Sequence, residues 1–128
     1  MGHNRVHVAK ASIAVNAALS NEIDLTGHSL VGIQMPADWT AADLTFQGRP
    51  GFSDDTGTWP NEILQDLYDD TGTETTVQAD ADRFIGLTGA ALDALTSCGK
   101  LKIRSGTTAT PVVQLAARVI LCVLVPLD

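Results

Sequence analysis

The 128-residue chain has a formal net charge of −7 and only eight Lys and Arg, scattered along its length. Such a length suits one domain that buries about two thirds of its unfolded surface. The acidity argues against direct packing on nucleic acid or an anionic membrane, since nucleic-acid binding normally needs a basic stripe. Charged residues make up 18% of the chain, below the roughly 25% usual for soluble domains. Two readings follow: a surface spent against neighbours, or one that is merely polar and uncharged. Fourteen Thr and 11 Gly, with no long runs of Glu, Lys and Leu, favour sheet and turns over helix.

In chain order, residues 1–10 read as an N-terminal arm or first strand, and 11–128 as a single β-sandwich domain. Val6 and Val8 share one face, whereas Ala11, Ile13 and Val15 continue an apolar face shifted by one position. The shift predicts a bulge near Lys10 or two short pieces. Residues 22–25 form a short strand with Ile23 and Leu25 inward. Residues 30–47, LVGIQMPADWTAADLTFQ, read as strand, corner, strand, and the rest of the chain is organised around them. Leu30, Ile33 and Met35 precede Pro36, and Leu44 and Phe46 alternate with Thr45 and Gln47. Trp39 lies between, as a plug for one end of a two-layer core. Trp39, Phe46 and Phe84 are the expected core anchors.

Residues 47–62, QGRPGFSDDTGTWPNE, cluster Gly, Pro, Asp and Thr. A segment that long hints at a binding or assembly loop. Its Phe52 and Trp59 either anchor it on the domain or dock a partner. A strand over 63–69, a turn on Gly72, a strand over 75–79 and a strand over 83–87 with Phe84 inward come next. Thr88 caps one short helix over 89–97, which Gly99 stops, with a winding loop as the alternative. In 101–104, Leu101 and Ile103 point in, Lys102 and Arg104 out. A strand over 112–116 leads to the last one, 118–126, RVILCVLVP, which is apolar on both faces. Such a strand is either central and covered or part of a subunit interface, through Val119, Leu121, Val123 and Val125. The expected fold is all-β: a two-layer sandwich, wired as a jelly roll, with at most one short helix. A closed barrel is the rival.

Chemistry-bearing patterns are weak. Cys98 and Cys122 are expected as free thiols. His3, His7 and His28 lack the convergence of a zinc site. Asp54 and Asp55, and then Asp66, Asp69 and Asp70, are acidic clusters that do not match the calcium-loop order and read as turn aspartates. No nucleophile elbow, phosphate loop or dinucleotide fingerprint is present, so no catalytic, cofactor-binding or metal residue is assigned. Trp39, Trp59 and Tyr68 would make a sugar-stacking platform if brought together. The start, MGHNRVHVAK, lacks the hydrophobic run of a signal peptide, and the longest apolar stretch, nine residues, is too short to span a bilayer as a helix.

The segments LVGIQMPADWTAADLTFQ, DLYDDTG, RFIGL, LKIRSGT and the terminal Q-x-A-A-R-V-I-x-x-V-L, in this order over residues 11–126, resemble a family of small virion proteins of tailed bacteriophages. The resemblance implies a non-enzymatic β-sandwich subunit mounted on the particle, as a capsid decoration or cement protein. It implies oligomeric contacts, with the major capsid protein or another virion protein as partner, and assembly in the bacterial host cytoplasm. A neck, tail or baseplate component is the nearest alternative, and a carbohydrate-binding β-sandwich module the next. The acidic loop 49–62 is longer than the turn that related proteins carry there.

Overall fold

A computed structural model describes residues 6–50 and 63–127. Phe52 and Trp59 lie outside the described residues. Eight strands and one helix form among those described: β1 (His7–Ile13), β2 (Ile23–Asp24), β3 (His28–Gln34), β4 (Leu44–Arg49), β5 (Gln65–Asp66), β6 (Phe84–Gly86), α1 (Gly89–Thr96), β7 (Lys100–Ser105) and β8 (Arg118–Pro126). They build two four-stranded antiparallel sheets, ordered β1-β8-β3-β6 and β2-β7-β4-β5. The arrangement is consistent with a two-layer sandwich. Both sheets contribute to one apolar cluster, with Ile13, Leu30, Ile33, Ile120 and Leu124 from the first and Leu44, Phe46, Leu101 and Ile103 from the second.

The segment 30–47 does not fold as a hairpin. β3 and β4 belong to different sheets, and the corner between them carries the chain from one layer to the other. Trp39 sits in that corner, half-buried against the core, and its Nε1 donates to Ala42 O at 2.9 Å. Phe46 is fully buried, as expected.

Three sequence-based expectations need correction. First, β1 runs without a bulge: His7 to Ile13 pair one-for-one with Leu124 to Arg118. Ala9, Ala11 and Ile13 point inward, and Val8 points out. Small alanines supply the inward face, so the larger valines suggested the wrong phase. The bulge lies in β3, between Leu30 and Gly32. Second, Phe84 is not a core anchor. Its ring is 60% exposed, and Ile85 takes the inward position. In a strand of three residues, period two leaves one phase or the other, and the neighbouring Ile85↔Ile33 pair selects it. Third, the strand expected over 75–79 shrinks to a single bridge, Leu44↔Val77, and residues 112–116 form neither strand nor bridge.

α1 packs against β3 and buries Leu95 completely. Thr88 is its N-cap in extended conformation but makes no side-chain cap bond. Cys98 and Cys122 are both buried free thiols, and burial alone pushes the Cys122 thiol up to about 12.

The turn after β7 is held by Gly106. Its N–H donates to Asp43 O at 2.8 Å, and its carbonyl accepts from Thr45 Oγ1 at 2.7 Å. Its φ is +91°, and a Cβ there would lie 2.5 Å from Thr110 O and 2.6 Å from Val112 N. Gly72 also has positive φ, +83°, but open space around it. Gly106→Ala should therefore cost more than about 2 kcal/mol, since strain and backbone overlap add, against about 1 kcal/mol for Gly72→Ala. Urea unfolding midpoints of the two variants measure the difference.

Candidate functional site

β8 is the second strand of its sheet and is hydrogen-bonded on both sides, to β1 and β3. Its side chains alternate. Ile120, Cys122 and Leu124 are buried in the core. Val119, Leu121, Val123 and Val125 therefore point the other way, onto the outer face of the sheet. Register supplies their neighbours. Val8 and Gly32 lie opposite Val123, Lys10 and Gln34 opposite Leu121, and Ser12 opposite Val119. Phe84 lies opposite Gln34, and its ring leans into the space that Gly32 leaves: a Cβ on Gly32 would be 3.0 Å from the ring's Cζ. An aromatic ring covering a cross-strand glycine extends the apolar surface across three strands. Val8 is 52% exposed and Val119 44%, while Leu121, Val123 and Val125 are half-buried by their neighbours. Among the outward register positions of this sheet the single charge is Lys10.

All four β8 residues expected to make assembly contacts thus share one face. Val8 and Phe84 join them, and sequence reading placed neither there as a contact. The signal for Val8 was present in its pairing with the alternation of β8, but it required the register.

The second sheet is organised differently. Arg104 points to its outer side yet is buried, 7% exposed, because the chain wraps over it. Its guanidinium lies 2.5 Å from Asp66 Oδ1 and 3.3 Å from Glu74 Oε2, and it donates to Thr108 Oγ1 at 2.9 Å and Thr45 Oγ1 at 3.3 Å. Glu74 also accepts from the N–H of Thr108 and, in a short contact, from its hydroxyl. One fork of donors therefore ties β4, β5, β7, the turn before residue 75 and the loop after β7. The Arg104 bond holds the Asp66 carboxyl below its usual value near 3.8. A similar junction forms at the next residue of β7, Ser105. Fully buried Gln114 donates to Thr40 O at 3.0 Å and Ser105 Oγ at 2.7 Å, and accepts from Thr40 N at 2.9 Å and Arg118 Nε at 3.1 Å.

The remaining candidates resolve locally. Asp69 Oδ1 accepts from Thr71 N, Thr71 Oγ1 and Thr73 N at 2.9, 2.6 and 3.0 Å, as a turn aspartate does. Among the described residues no group of His, Cys, Asp and Glu converges as a metal site. His7 and His28 bring their rings to 6.0 Å. Tyr68 is 49% exposed and lines an open hollow of about 530 Å³, with Gly48, Leu67 and Cys98. Pro50 and Ile63, which flank residues 51–62, form part of its rim. Trp39 is not among its lining residues. No described helix is long and apolar enough to cross a membrane. No family model, no curated protein and no solved structure matches the chain.

Arg104→Met leaves Asp66 and Glu74 partly buried without their cation, and should cost about 3–5 kcal/mol. The pH dependence follows from the lowered Asp66 carboxyl. Its contribution is present above the unfolded value near 3.8 and is lost as pH falls through the lower folded value. Wild type should therefore lose stability on acidification below about pH 4, and Arg104→Met should lose less over that range. Chemical denaturation at pH 7, 4 and 3 reads both effects.

Proposed function

We propose that the chain is a non-enzymatic structural protein of a tailed-phage virion, which decorates or cements the capsid through contacts between copies and with the major capsid protein. The observation that carries this reading is the outer face of the first sheet, where Val119, Leu121, Val123 and Val125 of a central strand stand outward beside Val8 and Phe84. A contiguous apolar face on an acidic, sparsely charged chain is suited to being covered by protein. The strand orders β1-β8-β3-β6 and β2-β7-β4-β5 support a jelly-roll wiring, which viral capsid domains share with lectins and cupins. Fold alone does not decide among these, so the face carries the argument.

The polar side chains at the two buried junctions, Arg104 and Gln114, hold strands and loops together. That use of buried polar groups suits a rigid block that offers its exterior to neighbours. The carbohydrate-binding alternative asks for exposed rings in one platform. Trp39 is half-buried with its indole N–H directed at Ala42 O, which sets that reading second.

Quantitative mass spectrometry of purified particles tests the role. Capsid decoration predicts on the order of hundreds of copies per particle, following the symmetry of the shell. A count of about six to a few tens would instead place the chain in the neck, tail or baseplate. Absence from particles would overturn the reading.

A further inference from the structure

We propose that the outer face of the β1-β8-β3-β6 sheet is a homotypic docking surface, and that a second copy of this chain lies against it face to face across a two-fold axis, with β8 on β8. The inference deepens the proposed virion role by naming the partner at this face, and rests on that role for its biological setting.

Three observations select this occupant. The first is charge. Two copies that each carry −7 repel one another unless they meet where carboxylates are absent. The outward register positions of this sheet hold Val8, Ser12, the four β8 residues, Ser29, Gly32, Gln34, Phe84 and Gly86, with Lys10 as their one charge. Ser29, opposite Val125, is buried against Thr96 of α1 and lies outside the open part of the face. The acidic residues Asp66, Asp69 and Glu74 belong to the other sheet and its loops. Lys10 can lay its aliphatic stem along the face and keep its ammonium at the rim.

The second observation is the state of the sheet's edges. β1 is an edge strand, and Asn21 occupies part of its free side. Ser12 N donates to Asn21 Oδ1 at 2.7 Å, Asn21 N donates to Ser12 O at 3.2 Å, and Asn21 Nδ2 donates to Lys10 O at 3.4 Å. The opposite edge, β6, is three residues long. Short and blocked edges are how sheets avoid strand addition. Association by extending the sheet is therefore disfavoured, and the face is the open route.

The third is area. The four strands, of seven, nine, seven and three residues and about 4.8 Å apart, cover about 420 Å² in projection. Two such faces come to about 850 Å² in projection. Their corrugated accessible surface is larger, which brings the pair to the roughly 1,000–1,200 Å² at the lower end of specific interfaces. Stacked sheets pack about 10 Å apart with interleaved side chains, and the rows at Val119, Leu121, Val123 and Val125 can mesh in that way. An interface of this size holds weakly alone and gains strength when repeated on a symmetric lattice.

Sedimentation equilibrium of the purified full chain at about 0.1 mM reads the association. Wild type should show the mass of a dimer. Leu121→Asp sets a carboxylate on each copy at the centre of the contact and should weaken association at least about 30-fold. Phe84→Ser removes an exposed ring without touching the core and should weaken it in the same direction. Thr76→Asp adds the same charge on an exposed loop away from the face and should leave the mass unchanged. Circular dichroism melts of the three variants check that each remains folded. A wild-type chain that stays monomeric, or a dimer that survives both face substitutions, overturns the inference. So does a monomeric chain whose attachment to particles is lost in Leu121→Asp, since another virion protein then occupies the face while the proposed function stands. A face-dependent dimer that is absent from particles upholds the inference and overturns the proposed function instead.

Discussion

A two-layer sandwich covers one face of each sheet, and β8 is apolar on both. This mismatch shapes the molecule. β8 lies between β1 and β3, so its backbone groups are satisfied on both sides and its inward residues Ile120, Cys122 and Leu124 reach the core. Period-two alternation then forces Val119, Leu121, Val123 and Val125 outward. No rotation of the strand hides both sets, because the register with seven residues of β1 is continuous. The apolar outer face is a consequence of the same pairing that builds the core.

The other sheet meets a different constraint. Its short strands, β2 and β5, have two residues each. Two-residue strands hold little ladder of their own. Arg104 and Gln114 make up the difference by joining segments far apart in sequence: Arg104 reaches Asp66, Glu74 and Thr108, and Gln114 reaches Thr40 and Ser105. Each junction is closed by several bonds, so the buried donors are matched by acceptors at the same site. One sheet is therefore held by long ladders and presents an apolar exterior. The other has one long ladder, six residues between β4 and β7, is tied at its short strand β5 by Arg104, and carries turns and acidic loops.

That asymmetry gives the proposed role its physical content. A subunit that attaches to a shell needs one surface for protein and another for solvent. The face around Leu121 and Phe84 suits the first. The sheet with Asp66, Asp69 and Glu74 suits the second. The terminal pattern Q-x-A-A-R also acquires a reason: Gln114 and Arg118 bond each other and both reach Thr40, which fixes where β8 enters its sheet.

Much of the fold was legible in the residues. Alternation in LKIR and in LTF named Leu101, Ile103, Leu44 and Phe46 as core, and all four are fully buried. The Gly72 turn and the two-sided apolar character of the last strand were readable from local chemistry. A helix after Thr88 was one of two readings, beside a winding loop, and the central place of β8 came with its pairing to β1 and β3. Local pattern misplaced Phe84, because a three-residue strand has no phase until it pairs. It also misplaced the bulge, because inward alanines in β1 carry less hydrophobic signal than outward valines. By itself the sequence determined most of the strand segments, though not that 75–79 and 112–116 stay out of the ladders, and that one strand is apolar on both sides, since period and composition are local properties. Only the tertiary structure decided which sheet each strand joins, that Arg104 lies buried between two carboxylates, and that Val8, Phe84 and β8 share one exposed face. Those facts rest on pairings between residues tens of positions apart, which no window of sequence contains.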